Sequence, residues 1–193
     1  IPAYNAQEFI VQTINSVKSQ TYRARKTIVV DDGSTDQTAQ IVREKFAGDH
    51  SIHCVRKENG GLSSARNRGI SESDADFVAF LDADDIWVPT KLSEQIEVLR
   101  NSPDSKLGVV YCAYGLIDRE GRPLPGSSRS LITPRLRGDI FDALLAGNYI
   151  SGSGSAVLIR RICFDNTGGF DESLPSCEDW DMWLRLARSG CSF

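Results

Sequence analysis

Three acidic groupings in this sequence carry the residue types and spacing that chemistry would need. Asp82-Ala83-Asp84-Asp85 places two carboxylates one residue apart, and like charges so close repel unless a divalent cation or a hydrogen-bond network holds them. Magnesium and manganese prefer oxygen ligands and commonly keep one or two carboxylates, several waters and the phosphates of a substrate. The D-x-D spacing therefore suggests a metal-bound diphosphate, although a three-residue pattern is weak on its own. Asp31-Asp32-Gly33-Ser34 is the second grouping, and it equally suits a turn or a helix cap. Glu178-Asp179 is the third: an acidic first turn worth roughly 0.3–1 kcal/mol against a helix dipole, or a place for a general base.

Short apolar runs position these groups. Thr27-Ile28-Val29-Val30 is β-branched and apolar, as expected for a central, parallel strand covered on both faces, and it delivers Asp31 and Asp32. Phe77-Val78-Ala79-Phe80-Leu81 delivers Asp82 in the same way. Ile10, Ile14 and Val17 predict a helix within residues 7–22, and Ala39, Val42 and Phe46 one over 34–46. A helix over 62–72, a strand over 51–55 and a helix opened by Pro89 and running through Leu92, Ile96 and Leu99 complete the first half. This alternation predicts an α/β fold with a mostly parallel, doubly wound sheet, whose ligand crevice lies at the carboxyl ends of the strands. The second half predicts strands at 107–113 and 156–159, a hairpin over 116–124, a polar loop over 123–134 and helices at 139–145 and 178–188. Ile1 to Asn5 reads as the tail of a strand entering a loop, so the domain is expected to be incomplete at both ends.

Composition narrows the class. A chain of 193 residues, 40% hydrophobic and 25% charged, suits one soluble globular domain. A formal charge of -4 gives no basic footprint for nucleic acid. Neither an apolar run of about 18 residues nor a secretion signal is present, which favours a cytoplasmic setting, with peripheral contact at the inner membrane face left open. The five cysteines are odd in number and form no C-x-x-C pair, so they read as free thiols rather than a disulfide framework or zinc site. His50 and His53 lack partners at a ligand spacing, and Trp87, Trp180 and Trp183 suit a core better than a ligand ring.

Five motifs in order carry a resemblance: Pro2-Ala3-Tyr4-Asn5, Val29 to Asp36, Asn59-x-Gly61-x-x-x-Ala65-Arg66-Asn67-x-Gly69, Leu81 to Asp85, and Gly169-Phe170-Asp171-Glu172 followed by Glu178-Asp179-Trp180-Asp181. Together they resemble the family 2 glycosyltransferases, over nearly the whole chain. The resemblance implies a GT-A fold, a three-layer α/β/α sandwich, as a single catalytic domain over 1–193. Residues 1–101 would form its nucleotide-binding half and 102–193 its acceptor side. It implies an inverting transfer from a nucleotide-diphosphate sugar, UDP- or dTDP-linked, to a saccharide or lipid-linked acceptor, with manganese or magnesium. Pro2, Ala3, Tyr4 and Asn5 would wall the nucleobase, and Asp32 would accept from a base N–H, with Asp31 a helper. Gly61 and Arg66 would pass close to the nucleotide, the guanidinium meeting base or diphosphate. Asp82 would hold the ribose or a metal-bound water, with Ala83 beside the donor; Asp84 would ligate the metal; Asp85 would orient the loop or cap a helix. Asp179 would take the proton of the acceptor hydroxyl. Two other readings compete: a sugar-1-phosphate nucleotidyltransferase, whose glycine-rich basic triphosphate loop is not visible, and a non-catalytic module that binds nucleotide sugars.

Overall fold

A buried strand, β2 (Thr27–Asp31), organises the first half of the chain in this computed structural model, which describes residues 1–124, 131–150 and 152–193. It lies between β1 (Pro2–Ala3) and β3 (Ile52–Arg56), parallel to both, as its wholly apolar sequence predicts. Its side chains alternate between two layers. Val29 packs among Ile10 and Ile14 of α1 (Ile10–Lys18) and Val42 of α2 (Thr38–Lys45). Ile28 and Val30 face the other way, onto Ala65 of α3 (Gly61–Ser71).

The second half contains a different sheet. β4 (Phe77–Ala79), β6 (Val157–Arg160) and β5 (Val109–Tyr111) pair in that order, and β6 runs antiparallel to both neighbours. The α/β class is as predicted, with the strands in two three-stranded sheets, one parallel and one with the antiparallel β6 at its centre. An apolar run reads the same in either direction, so the sequence of β6 carries no sign of its orientation. β4 and β5 are joined through α4 (Lys91–Asn101), whereas β6 follows a long excursion and enters from the opposite end.

β6 is also sandwiched. Leu158 packs against Leu92, Ile96 and Leu99 of α4. Val157 and Ile159 meet Phe164 of α6 (Ile162–Thr167) and Met182, Trp183 and Leu186 of α7 (Glu178–Arg188), with Leu144 of α5 (Phe141–Ala146) in the same cluster. The sequence reading missed α6, whose apolar residues Ile162, Cys163 and Phe164 are consecutive rather than three or four apart. The hairpin over 116–124 forms around a turn closed by Gly121 N–H to the Asp118 carbonyl at 2.9 Å. Half of the expected polar loop, residues 125–130, and Ser151 lie outside the described residues. An apolar cavity of about 270 Å³ lies between Ile1 and β4, bordered by Ile28, Val30, Phe77, Ala79 and Ile96; Asp32, Asp84 and Asp179 are not on its wall. No helix among the described residues is long and apolar enough to cross a membrane.

Candidate active site

The ends of β1 and β2 bring two of the motifs into contact. Asn5, at a left-handed φ of 50°, turns its side chain so that Oδ1 accepts from the backbone N–H of Thr35 (2.9 Å) and of Asp36 (3.3 Å). Its own N–H donates to Ser34 Oγ at 3.0 Å, and Ala6 N–H to Thr38 Oγ1 at 2.8 Å. Pro2 and Ala3 are buried beneath this clasp, while Tyr4 stands 53% exposed at its rim.

Asp32 is only 3% exposed, so its charge needs donors. It has three: Gly61 N–H at 2.8 Å, Gly60 N–H at 3.1 Å and Lys57 Nζ at 2.7 Å. Gly60 N–H is shared with the second oxygen at 3.2 Å, so both carboxylate oxygens are engaged. Gly61 opens α3 at a φ of 86°, with open space where a Cβ would stand. Asp31 is fully buried, accepting from Ser34 N–H at 3.2 Å with Arg56 Nε 3.4 Å away.

The D-x-D segment is a tight turn, closed by Asp85 N–H to the Asp82 carbonyl at 3.1 Å. Thr13 of α1 holds it from below through its hydroxyl to the carbonyl of buried Ala83 at 2.7 Å. Asp82 N–H donates to Ser155 Oγ at 2.9 Å, and the Ser155 carbonyl accepts from Trp87 Nε1 at 2.8 Å. Asp84 projects into solvent, and no hydrogen bond or ion pair among the described residues engages its carboxylate. Asp85 sits deeper; burial pushes its pKa up, against a hydrogen bond from Ser155, with repulsion from Asp82 and Asp84 adding to the rise.

Asp179 occupies the first turn of α7, half-buried, its Oδ1 accepting from Trp180 N–H at 2.7 Å. Burial raises its pKa above the ordinary aspartate value, the Glu178 charge adds to the rise, and the Trp180 N–H, Arg66 and Asn148 oppose it. Glu178 turns instead toward Arg66, whose Nη1 reaches its Oε1 at 2.9 Å while Nη2 reaches Asp82 Oδ1 at 3.0 Å. Arg66 is 2% exposed, so the expected contact with base or diphosphate is not what this arrangement presents.

α3 thus gathers the site. Its first turn holds Asp32, and Arg66, five residues or about 7.5 Å further along the axis, joins Asp82 to Glu178 beside Asp179. Several members were given no role of their own from sequence. Asn67 grips the segment before α7, accepting from Phe170 N–H at 2.7 Å and donating to the Phe170 carbonyl at 2.9 Å. Lys57, Ser155 and Glu178 complete the frame; a lone lysine or serine carries no spacing signal, and Glu178, marked together with Asp179, gave no sign of its arginine partner. The aromatics divide: Trp183 is fully buried, Trp87 is buried under the Lys91 ammonium, and Trp180 is tied by Nε1 to the Leu144 carbonyl at 2.8 Å.

The donor set suits a hard cation. It consists of oxygen, with Asp84 exposed and unengaged. No group of three or more His, Cys, Asp or Glu converges among the described residues, so a cation here would draw its remaining ligands from phosphate and water, as magnesium and manganese do. Asp179, a half-buried carboxylate of raised pKa, follows directly on Glu178, which shares the Arg66 guanidinium with Asp82.

Comparison with known proteins agrees with this layout. Residues 1–168 match the sequence pattern described as "Glycosyl transferase family 2". An uncharacterized glycosyltransferase of Rickettsia typhi is 37% identical over 188 residues, 97% of this chain and 57% of that protein. A putative teichuronic acid biosynthesis glycosyltransferase of Bacillus subtilis, TuaG, is 36% identical over 191 residues, 98% of this chain and 71% of that protein. Among solved structures, S. aureus TarS 1-349 in complex with UDP-GlcNAc superposes with a TM-score of 0.72 at 26% identity, covering 96% of this chain and 51% of that one. The chain spans from 30% to 57% of the length of the first Rickettsia relatives.

Proposed function

This chain belongs to glycosyl transferase family 2 and has the GT-A fold of a glycosyltransferase, and we propose that it moves a sugar from a UDP- or dTDP-sugar to a saccharide or lipid-linked acceptor, inverting the anomeric carbon. The observation that carries this reading is the convergence on α3: Asp32, Asp82 and Glu178, the neighbour of Asp179, are all tied to one helix. The binding of UDP and UDP-GlcNAc by TarS supports a uridine donor here.

In this reading Tyr4 offers its exposed face to the nucleobase between the buried Pro2-Ala3 backbone and Asn5. The base N3–H donates to Asp32, a contact that uracil and thymine can make. Open space over Gly61 admits the nucleotide against the backbone. Asp84 would hold manganese or magnesium, with Asp82 oriented toward its water or the ribose; the cation supplies neutralisation of charge on the departing diphosphate. Asp179 takes the proton from the acceptor hydroxyl as that oxygen bonds to the anomeric carbon from the face opposite the leaving group. Residues 1–101 serve the donor and residues 102–193 face the acceptor, which fits synthesis of an envelope polysaccharide at the cytoplasmic side of a membrane.

Titration calorimetry with UDP tests the donor half. Affinity is expected to be at least about tenfold higher with manganese or magnesium than with chelator, a gap of about 1.4 kcal/mol. Equal affinity in the two buffers would sink the metal-diphosphate assignment.

A further inference from the structure

Arg66 is the largest charged side chain in the interior, and its surroundings are built for it. Its guanidinium stacks over Phe170, 5.2 Å from Cζ to the ring centroid, while Nη1 and Nη2 divide between Glu178 and Asp82. Gly154 makes the room: a Cβ there would stand 3.1 Å from Nη2. The neighbouring Asn67 clamps the Phe170 backbone from both sides, so consecutive residues of α3 bind the same downstream segment. The two carboxylates on Arg66 belong to the loop that carries Asp84 and to the turn that carries Asp179.

A buried charge cluster is poor value as a stability device, since a packed apolar replacement is often as stable. A guanidinium does, however, fix two carboxylates at a set separation through its rigid planar fork, which an ammonium cannot do. We propose that Arg66 is a positioning residue that locks the D-x-D turn to the first turn of α7, setting the spacing between Asp84 and Asp179 without touching the nucleotide itself. This rests on the transfer reaction proposed above. It replaces the expected role of Arg66 as a contact to base or diphosphate.

The test uses the full chain with manganese, hydrolysis of a panel of UDP- and dTDP-sugars, and hydrogen exchange at residues 82–86 and 178–182. In Arg66→Met, donor KM is expected to stay within about threefold while kcat falls about 100-fold, the typical cost of an ångström of misplacement. Exchange at both segments should quicken together, and Arg66→Lys should restore only part of kcat. Glu178→Gln should reproduce most of the loss, and the double variant should add less than about threefold to it, because both remove one linkage. A tenfold rise in donor KM with unchanged exchange would make Arg66 a nucleotide contact and overturn the proposal, as would multiplicative losses in the double variant. Should Arg66→Met fail to fold, unaltered kcat and exchange in Glu178→Gln would overturn it equally. If the wild-type chain hydrolyses none of the donors, the transfer reading fails, and the exchange at the two segments still decides for or against the linkage.

Discussion

Asp179 gains basicity from the same burial that costs the fold stability. Its pKa is raised on folding, so the native state holds the proton more tightly than the unfolded chain does. The associated stability is full below the unfolded value, near about 3.9, and is lost as pH rises through the higher folded value. At neutral pH the ionised side chain is therefore a net cost that an amide of the same shape avoids, while the amide oxygen still accepts from Trp180 N–H. Asp179→Asn is expected to melt no lower than wild type at pH 7, with transfer reduced by roughly 10²–10⁴-fold, read by thermal scan and by product formation. The acid limb of kcat against pH should have its midpoint above the ordinary aspartate value; a midpoint at or below about 3.9 removes Asp179 from the base role.

Among elements, the contact between α3 and the segment leading into α7 decides whether the site assembles. That contact is close enough to require glycine at one position: a Cβ on Gly169 would fall 2.3 Å from Asn67 Oδ1. Gly169→Ala is expected to break the Asn67 grip on Phe170, lowering stability by about 1–3 kcal/mol through overpacking. Because the disturbed segment runs into α7, kcat should fall further than donor KM rises; a variant with wild-type kcat and melting temperature would show the grip to be dispensable. Ser155 performs a similar service from the other side, its Oγ accepting from Asp82 N–H and its carbonyl from Trp87. Ser155 thus supports the D-x-D turn.

Across the whole molecule, β6 is the wall shared by two hydrophobic clusters, with Leu158 in one and Val157 and Ile159 in the other. Leu158→Ala is expected to cost about 2–5 kcal/mol, and circular dichroism and tryptophan fluorescence should report one coincident transition if the two clusters unfold together. Separate transitions would mean that the halves are independently stable. The sequence alone determined β2, the helix at 178–188, the carboxylates at strand ends and the family, because those rest on local periodicity and on residue types in fixed order. It also marked Asp32, Asp84 and Asp179 as the residues to watch. Only the tertiary structure decided that β6 runs antiparallel, that α6 exists, and that Arg66 faces inward to two carboxylates. Strand direction and ion-pair partners depend on residues far apart in the chain, 112 positions for Arg66 and Glu178, and no local pattern encodes which of several carboxylates a buried guanidinium will meet.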